Sequence, residues 1–175
     1  MEQIGDIYRS TNRLPFPGRS DIAIPAAMHY LKASDGLVLI DPFEMDPAHG
    51  RAVEDLGQPR YVLITNLNHE RDAQLYRRRY GAVIGYHRDL AGYFDFEADF
   101  LFDDGDELPG GLRAVALPGT FRGETAFWHE GQGGSLVFGD ALMNLDLSTY
   151  GFAGTFMGTV GWPDGLGTMP RVLMQ

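Results

Sequence analysis

The segment that most constrains what this chain can fold into is Tyr61-Val62-Leu63-Ile64, followed directly by Thr65-Asn66-Leu67-Asn68-His69-Glu70-Arg71-Asp72. A short continuous apolar run of this kind suits a strand covered on both faces of a sheet. The polar cluster after it then sits at the carboxyl end of a central strand, outside which open α/β sheets tend to bind their ligands.

The flanking pattern supplies the rest of that sheet. Ile4 to Tyr8 alternates loosely and predicts a first edge strand, and Arg13-Leu14-Pro15-Phe16-Pro17-Gly18 is expected to break regular structure because proline removes a donor and fixes φ. Ile22 to Ala33, the turn Ser34-Asp35-Gly36 and Leu37-Val38-Leu39-Ile40 read as a hairpin whose second strand is buried on both sides. Pro47 to Leu56 reads as a helix with Asp46 as N-cap, Pro47 in the first turn and Gly57 as its stop. Glu70 to Tyr80 places Ala73, Leu75, Tyr76 and Tyr80 near helical spacing, turns Arg77, Arg78 and Arg79 outward, and ends at Gly81 before the strand Ala82 to His87. Two strand-helix-strand passages in succession predict parallel pairing.

The second half changes character. Phe100 to Phe102, Asp106 to Leu108, Leu112 to Leu117, Thr125 to His129 and Leu136 to Phe138 are short candidate strands separated by Asp-Gly and Gly-Gly turns, which predicts antiparallel meanders. Gly131-Gln132-Gly133-Gly134 would close the last hairpin, and beyond Asp140 no helix of useful length can be drawn. The 175 residues fit one domain.

Composition excludes several functions. Lys+Arg 14 against Asp+Glu 24 gives a net charge of −10, which repels phosphate backbones and anionic lipid, so neither nucleic acid nor membrane is an expected partner. With no cysteine there is neither a disulfide framework nor a thiolate metal site. No run approaches the roughly 20 apolar residues of a membrane span, and the expectation is a cytoplasmic protein.

Several landmarks, in order from about Met28 to Leu142, resemble the metallo-β-lactamase superfamily. Tyr30-Leu31-Lys32 with Asp35 to Pro42 is similar to its opening hairpin, and Thr65 to Arg71 is in register with its T-H-x-H-x-D-H ligand loop. Asp103-Asp104-Gly105-Asp106-Glu107-Leu108 resembles its "dGd" turn, Leu117-Pro118-Gly119-Thr120 falls where the family has P-G-H, and Phe138-Gly139-Asp140-Ala141-Leu142 matches its "tGDal" strand end. The resemblance implies an α+β fold, a four-layer αβ/βα sandwich of two mixed β-sheets flanked by helices. It spans one domain over residues 1–175 with the carboxyl-terminal part shortened, and the site lies on one edge of the two sheets.

The same register puts Asn66, Asn68, Glu70 and Arg71 on the four ligand positions of the loop and Thr120 on the next histidine, while Asp140 keeps its carboxylate. Neutral amides bind transition metals poorly, Arg71 is a permanent cation, and two carboxylates are too few for an ordinary dinuclear site. The expectation is therefore a degenerate site with no metal and no cofactor, in which Arg71, with Arg122, supplies positive charge to Asp41, Glu70 and Asp140. In that reading the protein is a non-catalytic or ligand-binding member. Asn66, Asn68, Arg71, Thr120 and Arg122 contact an anionic or amide-bearing small molecule. The alternative is a hydrolase with zinc at an atypical site or no metal, in which Glu70 or Asp140 is the base and Arg71 stabilises developing negative charge. A third reading, a structural subunit forming a homodimer, rests on the exposed edge of a shortened sheet.

The remaining candidates have plainer readings. His69 lies in the loop at a position that is not a ligand in the family, so a bond to backbone or to a neighbouring carboxylate is expected; a metal would require His69, Glu70 and Asp140 to converge. His87 reads as a rim residue, and His29, His49 and His129 as packing or solvent contacts. The acidic run Asp95, Glu97, Asp99, Asp103, Asp104 and Asp106 lacks EF-hand spacing and reads as a solvated face with a turn. Gly119-Thr120-Phe121-Arg122-Gly123 lacks the Gly-Lys-Ser/Thr ending of a P-loop.

Overall fold

The computed structural model describes residues 1–16, 19–143 and 151–152. A seven-stranded sheet runs β1 (Glu2–Ile4), β2 (Ile7–Phe16), β3 (Arg19–Ala33), β4 (Gly36–Ile40), β5 (Pro59–Ile64), β6 (Val83–His87) and β7 (Phe100–Phe102) in spatial as well as chain order. β1 to β4 pair antiparallel, each with the next, whereas β4 to β7 pair parallel. The change of direction follows from the connections: α1 (Pro47–Glu54) and α2 (Ala73–Tyr80) each carry the chain back to the start of the sheet. β8 (Glu107–Leu108), β9 (Leu112–Ala116), β10 (Thr125–His129) and β11 (Ser135–Val137) form a second sheet, antiparallel in the order β11-β10-β9-β8. β12 (Leu142–Met143) pairs with β13 (Gly151–Phe152).

Period-two alternation of the central strands divides the core. Leu37 and Leu39 face the helices with Val62, Ile64, Val53, Ala73 and Tyr76, while Val38 and Ile40 face the second sheet with Leu63, Phe102, Leu112 and Phe127. All four residues from Leu37 to Ile40, and Val62 to Ile64, are fully buried, as a strand covered on both faces requires. Helix, sheet and sheet are thus stacked as in the expected sandwich. The expectations of a shortened carboxyl end and of an outer helical layer fall on the chain after Met143, outside the described residues apart from Gly151 and Phe152.

Three local expectations are corrected. Arg13 to Phe16 does not break the chain but continues β2: Pro15 sits opposite Ala23, and the register shifts only between Pro15 and Phe16. Proline is tolerated there because β1 covers β2 only from Ile7 to Arg9, so at Pro15 one side of the strand is an open edge with no ladder bond to lose. Phe100 to Phe102 joins no meander; it pairs parallel with Gly85 to His87 as the last strand of the first sheet. α2 begins at Ala73, and Glu70 to Asp72 form the turn before it.

Other details follow the sequence closely. Asp46 caps α1 by accepting from Ala48 N and His49 N at 2.9 and 3.1 Å. Gly81 ends α2 at φ 68°, a left-handed cap suited to glycine. The acidic run fastens loops: Asp99 pairs with Arg77 at 2.6 Å and accepts from Ile84 N, and Asp104 accepts from Ala116 N. Among the described residues no helix is long and apolar enough to cross a membrane.

Candidate functional site

The carboxyl ends of β4 and β5 meet at Asp41 and Thr65. Asp41 is only 3% exposed, and its carboxylate receives the Thr65 N–H at 2.9 Å on Oδ1 and the Thr65 hydroxyl at 2.7 Å on Oδ2. Asp41 adopts φ 52°, a left-handed turn that Asp tolerates better than most residues, as the chain leaves the strand.

His69 closes the site. Its Nδ1 lies 2.8 Å from Asp41 Oδ2 and its Nε2 lies 3.2 Å from Asp140 Oδ1, so one imidazole bridges two carboxylates from different parts of the chain. Burial works against the imidazolium, but Asp140 and Asp41 outweigh it and push the His69 pKa up to about 10. Burial also opposes ionisation of Asp41 and Asp140, yet His69, helped by the more distant charge of Arg71, holds both below the usual carboxylate range. With both acids ionised, His69 carries a proton on each ring nitrogen.

Arg71 completes the charge balance from the side. Its Nη1 donates to Ala27 O at 2.7 Å and to Asp41 O at 2.9 Å, and its Nη2 stands 3.2 Å from His69 Nε2. That approach of two cations is offset by the two carboxylates they share.

Sequence reasoning did not single out Glu124, which lies just before β10 and is 3% exposed. Its Oε2 accepts from Asn66 Nδ2 at 2.7 Å and its Oε1 from Ala141 N at 3.0 Å. Burial, reinforced by Asp140, pushes its pKa up to about 8, so at neutral pH it retains its proton. Gly139 lies against this knot: a Cβ there would stand 2.4 Å from Thr65 Oγ1 and 2.8 Å from both Asn66 Nδ2 and Glu124 Oε1. The Gly-Asp pair is thereby explained, glycine permitting the close approach and aspartate reaching His69. The signal for Glu124 was available in principle, as an acidic residue followed by the apolar strand Thr125 to His129, but nothing local pointed it at Asn66.

The expected site residues are not all assembled. Asn66 is fully buried and spent, since its Oδ1 also takes the Asn68 N–H at 2.8 Å. Asn68 is exposed and reaches Asp140 Oδ2 at 3.3 Å through Nδ2. Glu70 is exposed; burial and Asp95 raise its pKa, and no hydrogen bond of the His69 cluster reaches it. Thr120 turns its hydroxyl back to Leu117 O at 2.8 Å. Arg122 stacks over Tyr93, 4.5 Å from the ring centroid, although its carbonyl accepts from Leu67 N. His69 and Asp140 do meet, then, without Glu70. His87 caps the turn after β6 by accepting from Asp89 N, and His49 contacts Ser10 Oγ at 2.5 Å.

A zinc centre of the kind the fold family implies does not fit these donors. The amide of Asn66 is occupied, a guanidinium holds one ligand position, and Asp140 is paired with an imidazolium. Among the described residues no group of three or more His, Cys, Asp or Glu side chains is arranged to hold a metal ion. A groove of about 310 Å³ beside β7, lined by Tyr61, Phe100, Leu101, Phe102 and Pro109 among others, shares no residue with the His69 cluster.

Comparison with known proteins agrees with this architecture. A metallo-beta-lactamase family protein from Thermus thermophilus superposes with a TM-score of 0.59 at 19% identity, covering 79% of this chain and 60% of its own. The FEZ-1 metallo-beta-lactamase from Legionella gormanii gives 0.59 at 18% identity, covering 81% and 63%. BJP-1, a subclass B3 metallo-beta-lactamase of Bradyrhizobium japonicum, gives 0.54 at 21% identity, covering 79% and 61%. The chain thus spans about three-fifths of the length of these structures, and at such identities the likeness establishes the fold alone. No curated protein matches the chain significantly. The family model of the metallo-beta-lactamase superfamily matches residues 21–150, most of the chain and all of the site, and the protein belongs to that superfamily.

Proposed function

We propose that this protein is a metal-free, ligand-binding member of the superfamily, in which a network of paired side chains takes the place of the metal centre. The observation that carries the reading is the bridge Asp41–His69–Asp140, at 2.8 and 3.2 Å. Protonated His69 and Arg71 balance ionised Asp41 and Asp140, and Glu124 keeps its proton, so the cluster is neutral without a bound cation. A divalent ion would have to displace His69 from both carboxylates and settle beside Arg71. The polar groups left near the surface, Asn68 and the part-buried Arg71, suit an anionic or amide-bearing small molecule. Elemental analysis of protein purified without chelator tests the reading: well under one transition ion per ten chains is expected, and a stoichiometric ion overturns it.

A second reading, a hydrolase built on Glu70 and Asp140, draws support from the raised pKa of Glu70, since a carboxylate shifted toward neutrality is a better base. It requires hydrolysis of generic ester, thioester or phosphodiester substrates that disappears in both Glu70→Gln and Asp140→Asn. Turnover by the wild type that survives both substitutions, or no turnover at all, removes it.

A further inference from the structure

A second basic patch adjoins the His69 cluster on the long hairpin. Arg9 in β2 and His29 in β3 are cross-strand partners, so their side chains leave the same face of the sheet. Ile7 and Leu31, two residues away on each strand, belong to the core between the sheets, which identifies that face as the inner one. Arg71 reaches the same strand β3, bonded to Ala27 O, two residues before His29, and to Asp41 O. One guanidinium therefore lies beside His29 on the neighbouring strand, and a second is bonded two residues along its own strand.

The His29 ring is neutral. Burial lowers the His29 pKa to about 4; Asp41 opposes the shift, and Arg9 and Arg71 reinforce it. His29 thus offers a hydrogen-bonding ring without a third positive charge. Arg9 is poorly satisfied by its surroundings: Nη2 pairs with Glu2 at 2.6 Å, but Nε is buried and has no partner among the described residues. Glu2 is a loosely held counterion, with its side chain 59% exposed and all three residues of β1 exposed, so releasing it costs little.

We propose that Arg9, beside His29 and with Arg71 bonded two residues along the same strand, forms an anion subsite for the carboxylate or phosphate group of a small ligand, and that Glu2 holds the place of that anion when no ligand is bound. The proposal rests on the ligand-binding reading and deepens it by naming the charged group of the ligand and the residues that take it. Once Glu2 swings out, Arg9 leaves the patch with one uncompensated positive charge, because His69 and Arg71 are already balanced by Asp41 and Asp140. A guanidinium offers several N–H donors in a fork that matches oxyanion geometry.

Calorimetric titration of the full chain with inorganic phosphate tests this, with acetate in parallel to separate the two kinds of oxyanion. Arg9→Gln is expected to weaken binding about tenfold, as loss of a charge-assisted hydrogen bond does, and Glu2→Gln to strengthen it severalfold by removing the internal competitor. The ring resonances of His29 should move with phosphate in the wild type and stay fixed in Arg9→Gln. Glu2 is exposed, so Glu2→Gln reads the subsite even where Arg9→Gln unfolds. Anion binding that is equal in all three proteins overturns the subsite while leaving the ligand-binding reading in place. No binding by wild type or Glu2→Gln overturns it as well, and the ligand-binding reading is then left with amide-bearing ligands alone.

Discussion

The His69 ring stands 2.8 Å from the Asp41 carboxylate, itself 3% exposed and already bonded twice by Thr65. The pair joins the first residue after β4 to the loop after β5, so it fixes the entrance to the site as well as its charge. Removing the imidazole would leave a buried carboxylate with only Thr65 and a more distant Arg71 to stabilise it.

His69→Ala is therefore expected to destabilise the protein by about 3 kcal/mol, the cost typical of breaking one side of a buried ion pair. Urea unfolding measures it. Asp41→Asn combined with His69→Ala should cost less than the sum of the two single changes, because the second removes the charge that the first left stranded. Strict additivity would mean that the two side chains do not interact.

The pH dependence of stability follows from three shifts of known sign. His69 is raised from 6.5 to about 10, so its contribution is complete below pH 6.5 and is lost as pH rises through 10. Glu124 is raised from 4.5 to about 8, so the folded state loses stability as pH rises from 4.5 through 8. His29, lowered from 6.5 to about 4, acts oppositely and favours folding as pH rises from 4 to 6.5. Between pH 6.5 and 8 only the two falling contributions overlap among these three. Urea midpoints should drop across that window, and Glu124→Gln should flatten the drop. A wild-type midpoint that stays level from pH 6.5 to 8 contradicts these assignments.

The central strand and its polar loop could be read because each is a local pattern: four apolar residues in a row, a proline and an aspartate at a helix start, a glycine at a helix end. The same is true of Gly139-Asp140, whose meaning comes from adjacency. The contents of the site were less legible because its decisive contacts join distant residues, Asn66 to Glu124 across 58 positions and His69 to Asp140 across 71. Register placed Arg71 at a ligand position and suggested it as the direct partner of the carboxylates. In the fold it bonds main-chain carbonyls and the neighbouring imidazole makes the direct contacts. Phe100 to Phe102 was similarly ambiguous, since three apolar residues do not reveal which sheet edge they will join.

Gly139→Ala should be poorly tolerated although it adds one carbon. The new Cβ would press on Thr65 Oγ1, Asn66 Nδ2 and Glu124 Oε1, all within 2.8 Å. These atoms are held by hydrogen bonds to Asp41, to one another and to Ala141 N and cannot retreat without breaking them. A loss of about 2 kcal/mol is expected from overpacking of this kind, read as a lower urea midpoint with an unchanged slope. Full stability in Gly139→Ala would show that this knot is looser than the contacts imply.

Metal addition and removal give the last test. A ligand that binds only the folded state at a hundred times its dissociation constant stabilises by about 2.7 kcal/mol, which in a domain of this size raises the melting temperature by roughly 5–10 °C. If the Asp41–His69–Asp140 bridge occupies the carboxylates that a metal would need, zinc at micromolar levels should leave the melting temperature within about 1 °C, and chelator should not lower it. His69→Ala is the informative partner of that experiment. It frees both carboxylates while Arg71 stays in place beside them, so zinc should still fail to stabilise the variant if the guanidinium is itself a barrier to metal. Stabilisation by zinc in His69→Ala but not in the wild type would assign the exclusion to the imidazolium alone.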